Sequence, residues 1–150
     1  MVHKNKKGFT LIELILVVAL MVVLVTLAAP FYQSLQLKAD LGQVREELAN
    51  NLRRQEFYAA DSRLDSAWGV KFNFDSYTLF KGDGFVGRDP ALDEIISLPK
   101  NVSLSATLAE VVFIKASGNT ATAGSLTLAN LINNQNLTIS ISNQGLVEMN

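Results

Sequence analysis

The apolar residues of the chain are concentrated near its start. From residue 14 to residue 29 there is no charged side chain and almost no polar one. A helix over residues 9–29 would rise about 31 Å at roughly 1.5 Å per residue, which is close to the bilayer's hydrocarbon thickness of about 30 Å. The pattern therefore predicts one apolar helix that crosses a membrane once, with Pro30 closing it and kinking or loosening the helix there.

A second pattern follows Pro30, in which the apolar residues are spaced by three or four positions. They are Leu37, Leu41, Val44, Leu48 and Leu52, with charged residues between them. This period predicts an amphipathic helix running to about Ala60, whose apolar stripe packs on a folded domain. The stripe is too short for a coiled coil, and Gly42 is a weak point where the helix can bend.

Beyond Asp61 the helical period gives way to short alternating segments. Residues 68–74 and 77–80, separated by the turn-like Asp75-Ser76, predict a β-hairpin. Further strands are expected at residues 94–98, 102–107, 111–115, 125–131, 137–142 and 146–149. Short strands between Gly, Asn and Pro clusters predict an antiparallel sandwich or paired sheets. The fold class is therefore α+β, a long N-terminal helix packed on a β-rich C-terminal domain.

Charge at the N-terminus sets an orientation. His3, Lys4, Lys6 and Lys7 form a cationic head, which is expected to stay in the cytoplasm while the rest of the chain crosses outward. Glu13 is an acid at the beginning of an otherwise apolar segment, where a charge is costly without a partner. On position alone, Glu13 either extends its carboxylate toward the headgroups or serves a specific partner.

Residues 6–13 read KKGFTLIE, which resembles the processing site of type IV prepilins and type II secretion pseudopilins. The resemblance implies that a prepilin peptidase cuts between Gly8 and Phe9 on the cytoplasmic side and methylates the new Phe9 amine. Glu13 matches the acidic residue of the family and would pair with the Phe9 amine of a neighbouring subunit. In a low-dielectric filament core, such a pair would act mainly through specificity of register.

The C-terminal part resembles minor pseudopilins of the GspH/FimT type. The similarity lies in Trp68-Gly69 soon after the helix, in Leu98-Pro99, in a Val-Val-Phe-Ile strand leading to Gly118, and in Gln144-Gly145. Taken together, the resemblances imply a leader at 1–8, a transmembrane and filament-core helix at 9–30, an amphipathic helix at 31–62 and an extracytoplasmic domain at 63–150. The implied partners are other pilins or pseudopilins, the prepilin peptidase and the inner-membrane assembly platform. The protein would reside in the inner membrane and then in a filament.

Three alternatives stay open beside a minor filament subunit. A major pilin would share the N-terminal signal. A non-polymerising, membrane-anchored extracytoplasmic binding domain would share the anchor. An ordinary secretory signal peptide would be cut near Thr26-Leu27-Ala28, although such a peptide has no use for Glu13.

The sequence offers few candidate residues for catalysis, metal binding or nucleotide binding. There is no cysteine, and His3, the only histidine, would leave with the leader, so we expect neither an enzyme nor a cofactor. The G-x-G-x-x-G at residues 82–87 lacks the helix of a dinucleotide-binding unit and is interpreted as a loop. Asp83, Asp89 and Asp93 could offer oxygens to calcium but match no known calcium-binding loop. The net charge of -1 disfavours nucleic acid as a partner.

Overall fold

The computed structural model describes the backbone of residues 8–149 and the side chains of residues 8–26 and 39–149. One long helix, α1 (Leu11–Ala60), is followed by a β-rich region. Its strands are β1 (Trp68–Phe72), β2 (Ser76–Lys81), β3 (Glu94–Ser97), β4 (Val102–Ala106), β5 (Glu110–Phe113), β6 (Gly124–Asn130), β7 (Asn136–Ile141) and β8 (Val147–Met149). Single 3-10 turns lie at Arg63–Asp65 and Pro90–Leu92. This order confirms the predicted α+β class, a long N-terminal helix followed by a β-rich domain.

By its internal contacts the chain divides into two units, Met1–Gln36 and Leu37–Asn150. The predicted cationic head, His3, Lys4, Lys6 and Lys7, lies outside the described residues. The helix is assigned through Pro30, whose side chain also lies outside them.

The strands of the second unit form two antiparallel sheets of four strands each, within the part of the chain that the structure describes. The first has the order β3-β2-β1-β5 and the second the order β4-β6-β7-β8. The predicted hairpin is β1 and β2, in register Val70 with Leu79, and its turn is closed by Asn73 N–H donating to Ser76 O at 2.9 Å. Two packed sheets agree with the predicted paired-sheet architecture.

The second half of α1 supplies a helical layer to the core. Of the predicted stripe, Leu41, Val44, Leu48 and Leu52 are all buried, while the side chain of Leu37 is outside the described set. They pack in one cluster with residues of both sheets, such as Val70 and Leu126. Because the stripe recurs every three or four residues, one face of the helix is continuously covered, which is the origin of its stability in the domain.

Polar contacts attach the same helix to each sheet. Asn51 Nδ2 donates to Tyr77 Oη at 2.8 Å, toward the first sheet, and Arg53 Nη2 donates to Val147 O at 3.1 Å, toward the second. Ala116 N–H donates to Ala59 O at 2.9 Å and so satisfies one carbonyl of the last helical turn. The end of the helix is thus fixed near Ala60, as its apolar period predicted.

In the first unit, the described side chains of α1 are exposed and, apart from Glu13 and Thr26, apolar. Leu16 and Val22 are more than half exposed, and Phe9, just before the helix, is 85% exposed. Within the described residues, no helix reaches the length and hydropathy of a membrane span.

Candidate functional site

The residues that resemble a processing site lie where α1 begins. Gly8, Phe9 and Thr10 are not helical, and the helix starts at Leu11. All three are exposed, and together with Glu13 they line one open depression. A Cβ added at Gly8 would meet nothing within 4 Å. The backbone between Gly8 and Phe9 is therefore accessible, and no described residue of the chain requires a glycine there.

Thr10 and Glu13 form a reciprocal cap at the helix N-terminus. Glu13 N–H donates to Thr10 Oγ1 at 3.3 Å, and Thr10 N–H donates to Glu13 Oε2 at 3.3 Å. The Thr10 hydroxyl also donates to Glu13 Oε2 at 3.3 Å. This is a capping box, in which two residues three positions apart satisfy donors that the helix leaves unpaired. It was not predicted from the sequence, although the spacing Thr-x-x-Glu ahead of an apolar run is its signal.

The cap determines what Glu13 can still bind. A carboxylate offers about four lone-pair sites on two oxygens, and among the described residues the bonds to Thr10 end on Oε2. Oε1 remains available to a further donor such as an ammonium group. The helix N-terminus carries partial positive charge, which also favours an ionised acid in the first turn. Capping and a second, charged partner are therefore compatible at Glu13.

The Gly-rich segment at residues 82–87 is a packed loop, as the sequence analysis proposed. The ring of Phe85 packs edge-on against Phe80 at 5.6 Å, and the Arg88 guanidinium lies 3.8 Å from the Phe85 ring centre. Gly82 has a φ of +144°, which L side chains rarely adopt. The loop is followed by the single turn Pro90–Leu92, too short to be the helix of a dinucleotide-binding unit.

Two of the three aspartates considered for calcium have separate structural roles. Asp93 accepts from Arg88 Nε at 2.7 Å, and Asp89 Oδ1 accepts from Ala91 N–H at 3.2 Å, capping the short turn. In the described part of the chain, no three acidic or histidine side chains converge on a metal position. The start of α1 is therefore the candidate site.

Comparison with known proteins bears on both ends of the chain. Residues 3–29 match the prokaryotic N-terminal methylation motif. This confirms the resemblance read from KKGFTLIE. No curated protein matches the sequence.

The fold was compared with solved structures. The chain is similar to the minor pseudopilin EpsH from the type 2 secretion system of Vibrio cholerae, with a TM-score of 0.59 at 13% identity. The similarity covers 74% of this chain and 96% of EpsH. The chain therefore shares the fold of EpsH. This agrees with the resemblance to minor pseudopilins noted for the C-terminal part.

Proposed function

We propose that this protein is a non-enzymatic structural subunit, a minor pilin or pseudopilin, of a type IV pilus or a type II secretion pseudopilus. The observation that carries the proposal is the combination of a methylation motif that runs into the start of a long helix with a fold similar to that of a minor pseudopilin. Neither feature alone specifies a filament subunit. Together they provide an N-terminus suited to processing and a domain suited to display on a filament.

Processing would take place between Gly8 and Phe9. The cut would remove the basic leader, residues 1–8, and the new Phe9 amine would then be methylated. Non-helical, exposed backbone on both sides of the bond supports this step, because a peptidase must approach the peptide group directly. A Cβ at Gly8 would meet none of the described residues, so their packing does not require a glycine there. This supports the proposal that the peptidase recognises Gly8.

Assembly would use the charge left by the cut. A free Phe9 ammonium next to apolar surface is costly unless a counter-charge is near. Glu13 of a neighbouring subunit can supply that charge through Oε1 while Oε2 remains in the cap with its own Thr10. The pair would then fix the axial register between subunits, which is the role in which buried ion pairs are best attested.

Before assembly the apolar helix, residues 9–30, would hold the protein in the inner membrane as a single pass, with the β-rich domain outside the cytoplasm. The exposed apolar side chains of residues 11–26 support this placement, because such a surface requires either lipid or other helices around it. In the filament, the helices of other pilins would replace the lipid. The prepilin peptidase and the inner-membrane assembly platform would act in between.

Mass spectrometry of the N-terminus, on protein purified from its native membrane, tests the proposal. A chain that begins with methylated Phe9 is the expected result. A chain that begins near Ala29 would mean a secreted domain released by signal peptidase, and an intact Met1 would mean an unprocessed anchor. Either of the last two results would overturn the proposed processing and, with it, the filament role.

A further inference from the structure

A groove of about 350 Å³ runs between α1 and the edge of the first sheet. Val44 and Tyr77 lie buried beneath it, and Asp40 and Glu47 line its helical side. Positions 40, 44 and 47 are three or four residues apart, so a single face of the helix borders the groove. Ser97 of β3 lines the opposite side. All of these residues belong to the second unit.

The strand that borders the groove has an unpaired edge. β3 is the outermost strand of its sheet, with β2 as its neighbour on one side. Leu98 N–H donates to Asp75 O at 2.8 Å, in the same register that pairs Ile96 with Tyr77. Because hydrogen-bonded positions alternate in an antiparallel pair, the peptide groups of Ile95 and Ser97 point away from β2. They are available to another strand.

The side chains of β3 do little to block such pairing. Natural sheets protect their edges with lysine, proline, bulges or a covering element. β3 reads Glu-Ile-Ile-Ser, and its Ile95 side chain is 70% exposed. Pro99 and Lys100 follow only after the strand has ended. An exposed isoleucine beside free peptide groups favours an incoming strand.

The charged residues that line the groove, Asp40 and Glu47, are both acidic. Among the side chains that the structure describes, neither Asp40 nor Glu47 forms an ion pair. Further along the same helix, Arg54 Nη2 contacts Glu94 Oε2 of β3 at 2.5 Å and ties the helix to the strand. The charge of the described groove lining is therefore negative, which attracts a cationic segment and repels phosphate.

We propose that the groove receives an extended, basic segment of another protein. The segment pairs with β3 as a fifth strand, through the peptide groups of Ile95 and Ser97, and places lysine or arginine side chains against Asp40 and Glu47. Main-chain hydrogen bonds supply affinity in such strand addition, and the side-chain positions supply specificity. This inference goes beyond filament assembly, because it uses no residue of the N-terminal site and does not depend on cleavage.

The first test uses two peptides as probes on the full-length, 15N-labelled protein in detergent micelles. One alternates lysine with valine over six residues, and the other alternates glutamate with valine. NMR should show the lysine peptide shifting the amide signals of Ile95 and Ser97 and slowing their hydrogen exchange. The glutamate peptide should bind at least about tenfold more weakly, because its charges face Asp40 and Glu47.

A matched pair of variants separates strand addition from simple charge attraction. Ser97→Pro removes an outward N–H that β2 does not use, whereas Ser97→Ala keeps it. The lysine peptide should lose about tenfold in affinity with Ser97→Pro and bind Ser97→Ala like the native protein. A double change, Asp40→Asn with Glu47→Gln, should also weaken it, by roughly threefold to tenfold, and so abolish most of the difference between the two peptides.

Four results would overturn the proposal. They are equal binding of the two peptides, equal binding by Ser97→Pro and Ser97→Ala, no binding of the lysine peptide up to millimolar concentration, and peptide-free dimerisation through β3 in analytical ultracentrifugation. The last result would identify a second copy of this chain as the occupant. The N-terminal processing proposal would be unaffected by any of them, since uncleaved protein serves equally well.

Discussion

Gly145 lies so close to Gly118 that a Cβ added to Gly145 would stand 2.2 Å from the Gly118 carbonyl oxygen. Both residues have positive φ, +81° and +69°. A Cβ on either would also come within 3.3 Å of Glu56 Cγ on α1. The loop after β5 and the turn before β8 therefore meet at the helix, and the contact leaves no space for a side chain.

Gly145→Ala should destabilise the domain strongly. The new methyl would collide with backbone, which cannot move away as a flexible side chain can, and the left-handed conformation would add its own strain. We expect a loss of about 3 kcal/mol or more in the free energy of unfolding. Urea unfolding of the full chain in mild detergent, followed by fluorescence, measures it. Trp68 is the only tryptophan and is 7% exposed, so the signal reports on the domain.

Gly42→Ala is the matched control and should have the opposite sign. Gly42 lies inside α1, and a Cβ there would meet nothing within 4 Å. Alanine loses less backbone entropy than glycine on entering a helix, so the free energy of unfolding should rise by about 0.5–1 kcal/mol. A destabilised Gly42→Ala would mean that this position is bent or in contact, as the sequence analysis suggested for a weak point.

The contact between Gly118 and Gly145 is a part of the fold that the sequence does not predict, whereas the positions of the elements are predicted. The strands fall within a residue or two of the predicted segments, and in strands such as β5 and β6 burial on one face imposes a period of two. The apolar stripe predicted the end of α1, because burial of one helix face imposes a period of three to four residues. Periodicity does not specify neighbours, however. It could not show that β4 and β5, consecutive in the chain, join different sheets, or that Gly118 and Gly145 touch.

The candidate site was predictable in its position but not in its local geometry. A short motif predicted the roles of Gly8, Phe9 and Glu13. The apolar run begins at these residues, so the sequence also places them before and in the first helical turn, where they are exposed. In the sequence, Glu13 is an acid in need of a partner. That Thr10 is such a partner within the same turn was not predicted, because the cost of a charge does not indicate which helix donors are unpaired.

Tyr77 should make the domain sensitive to alkali. Burial raises the pKa of Tyr77 to about 12, from an ordinary value of 10.0, and the hydrogen bond from Asn51 opposes this only in part. The folded state therefore retains the proton more tightly. The stabilisation that the buried, protonated Tyr77 provides is complete below about pH 10 and is lost as the pH rises toward 12. Over this interval the free energy of unfolding falls by about 1.4 kcal/mol per pH unit.

Tyr77→Phe should remove that slope. At neutral pH it should cost about 1 kcal/mol, because Asn51 Nδ2 loses its acceptor. Between pH 10 and 12 the free energy of unfolding of the variant should fall less steeply than that of the native protein. The two slopes should differ by at most about 1.4 kcal/mol per pH unit, the contribution of one titrating group. Urea unfolding at several pH values, read from Trp68 fluorescence, compares the two. Parallel curves over that interval would contradict a buried, protonated phenol.

Gly8→Val should block processing without disturbing the fold. The added side chain enters open space, so the urea midpoint read from Trp68 should be unchanged. A peptidase that recognises glycine before the cut should no longer accept the bond, so the protein should accumulate with its leader, as intact-mass spectrometry of membrane fractions would show. Normal release of residues 1–8 from the Gly8→Val protein would rule out recognition of this glycine.

Glu13 has two candidate roles, the cap within its own helix and the ion pair with a neighbouring subunit, and substitution by glutamine separates them. Glutamine at the third position of the helix still accepts a hydrogen bond from Thr10 N–H but carries no charge. Alanine loses the charge and the carboxylate half of the cap, while the backbone N–H of residue 13 can still donate to Thr10 Oγ1. Thr10→Ala removes half of the cap and keeps the acid.

If the ion pair sets the register, Glu13→Gln should impair incorporation into sheared filaments about as much as Glu13→Ala, while Thr10→Ala assembles nearly normally. If the cap is all that matters, Glu13→Gln should assemble like the native protein and Thr10→Ala should fail with Glu13→Ala. Membrane fractionation gives the control, since all three variants should still insert. Because the cap is worth only about 1 kcal/mol, and an unpaired ammonium in apolar surroundings costs more than that, we expect the first pattern.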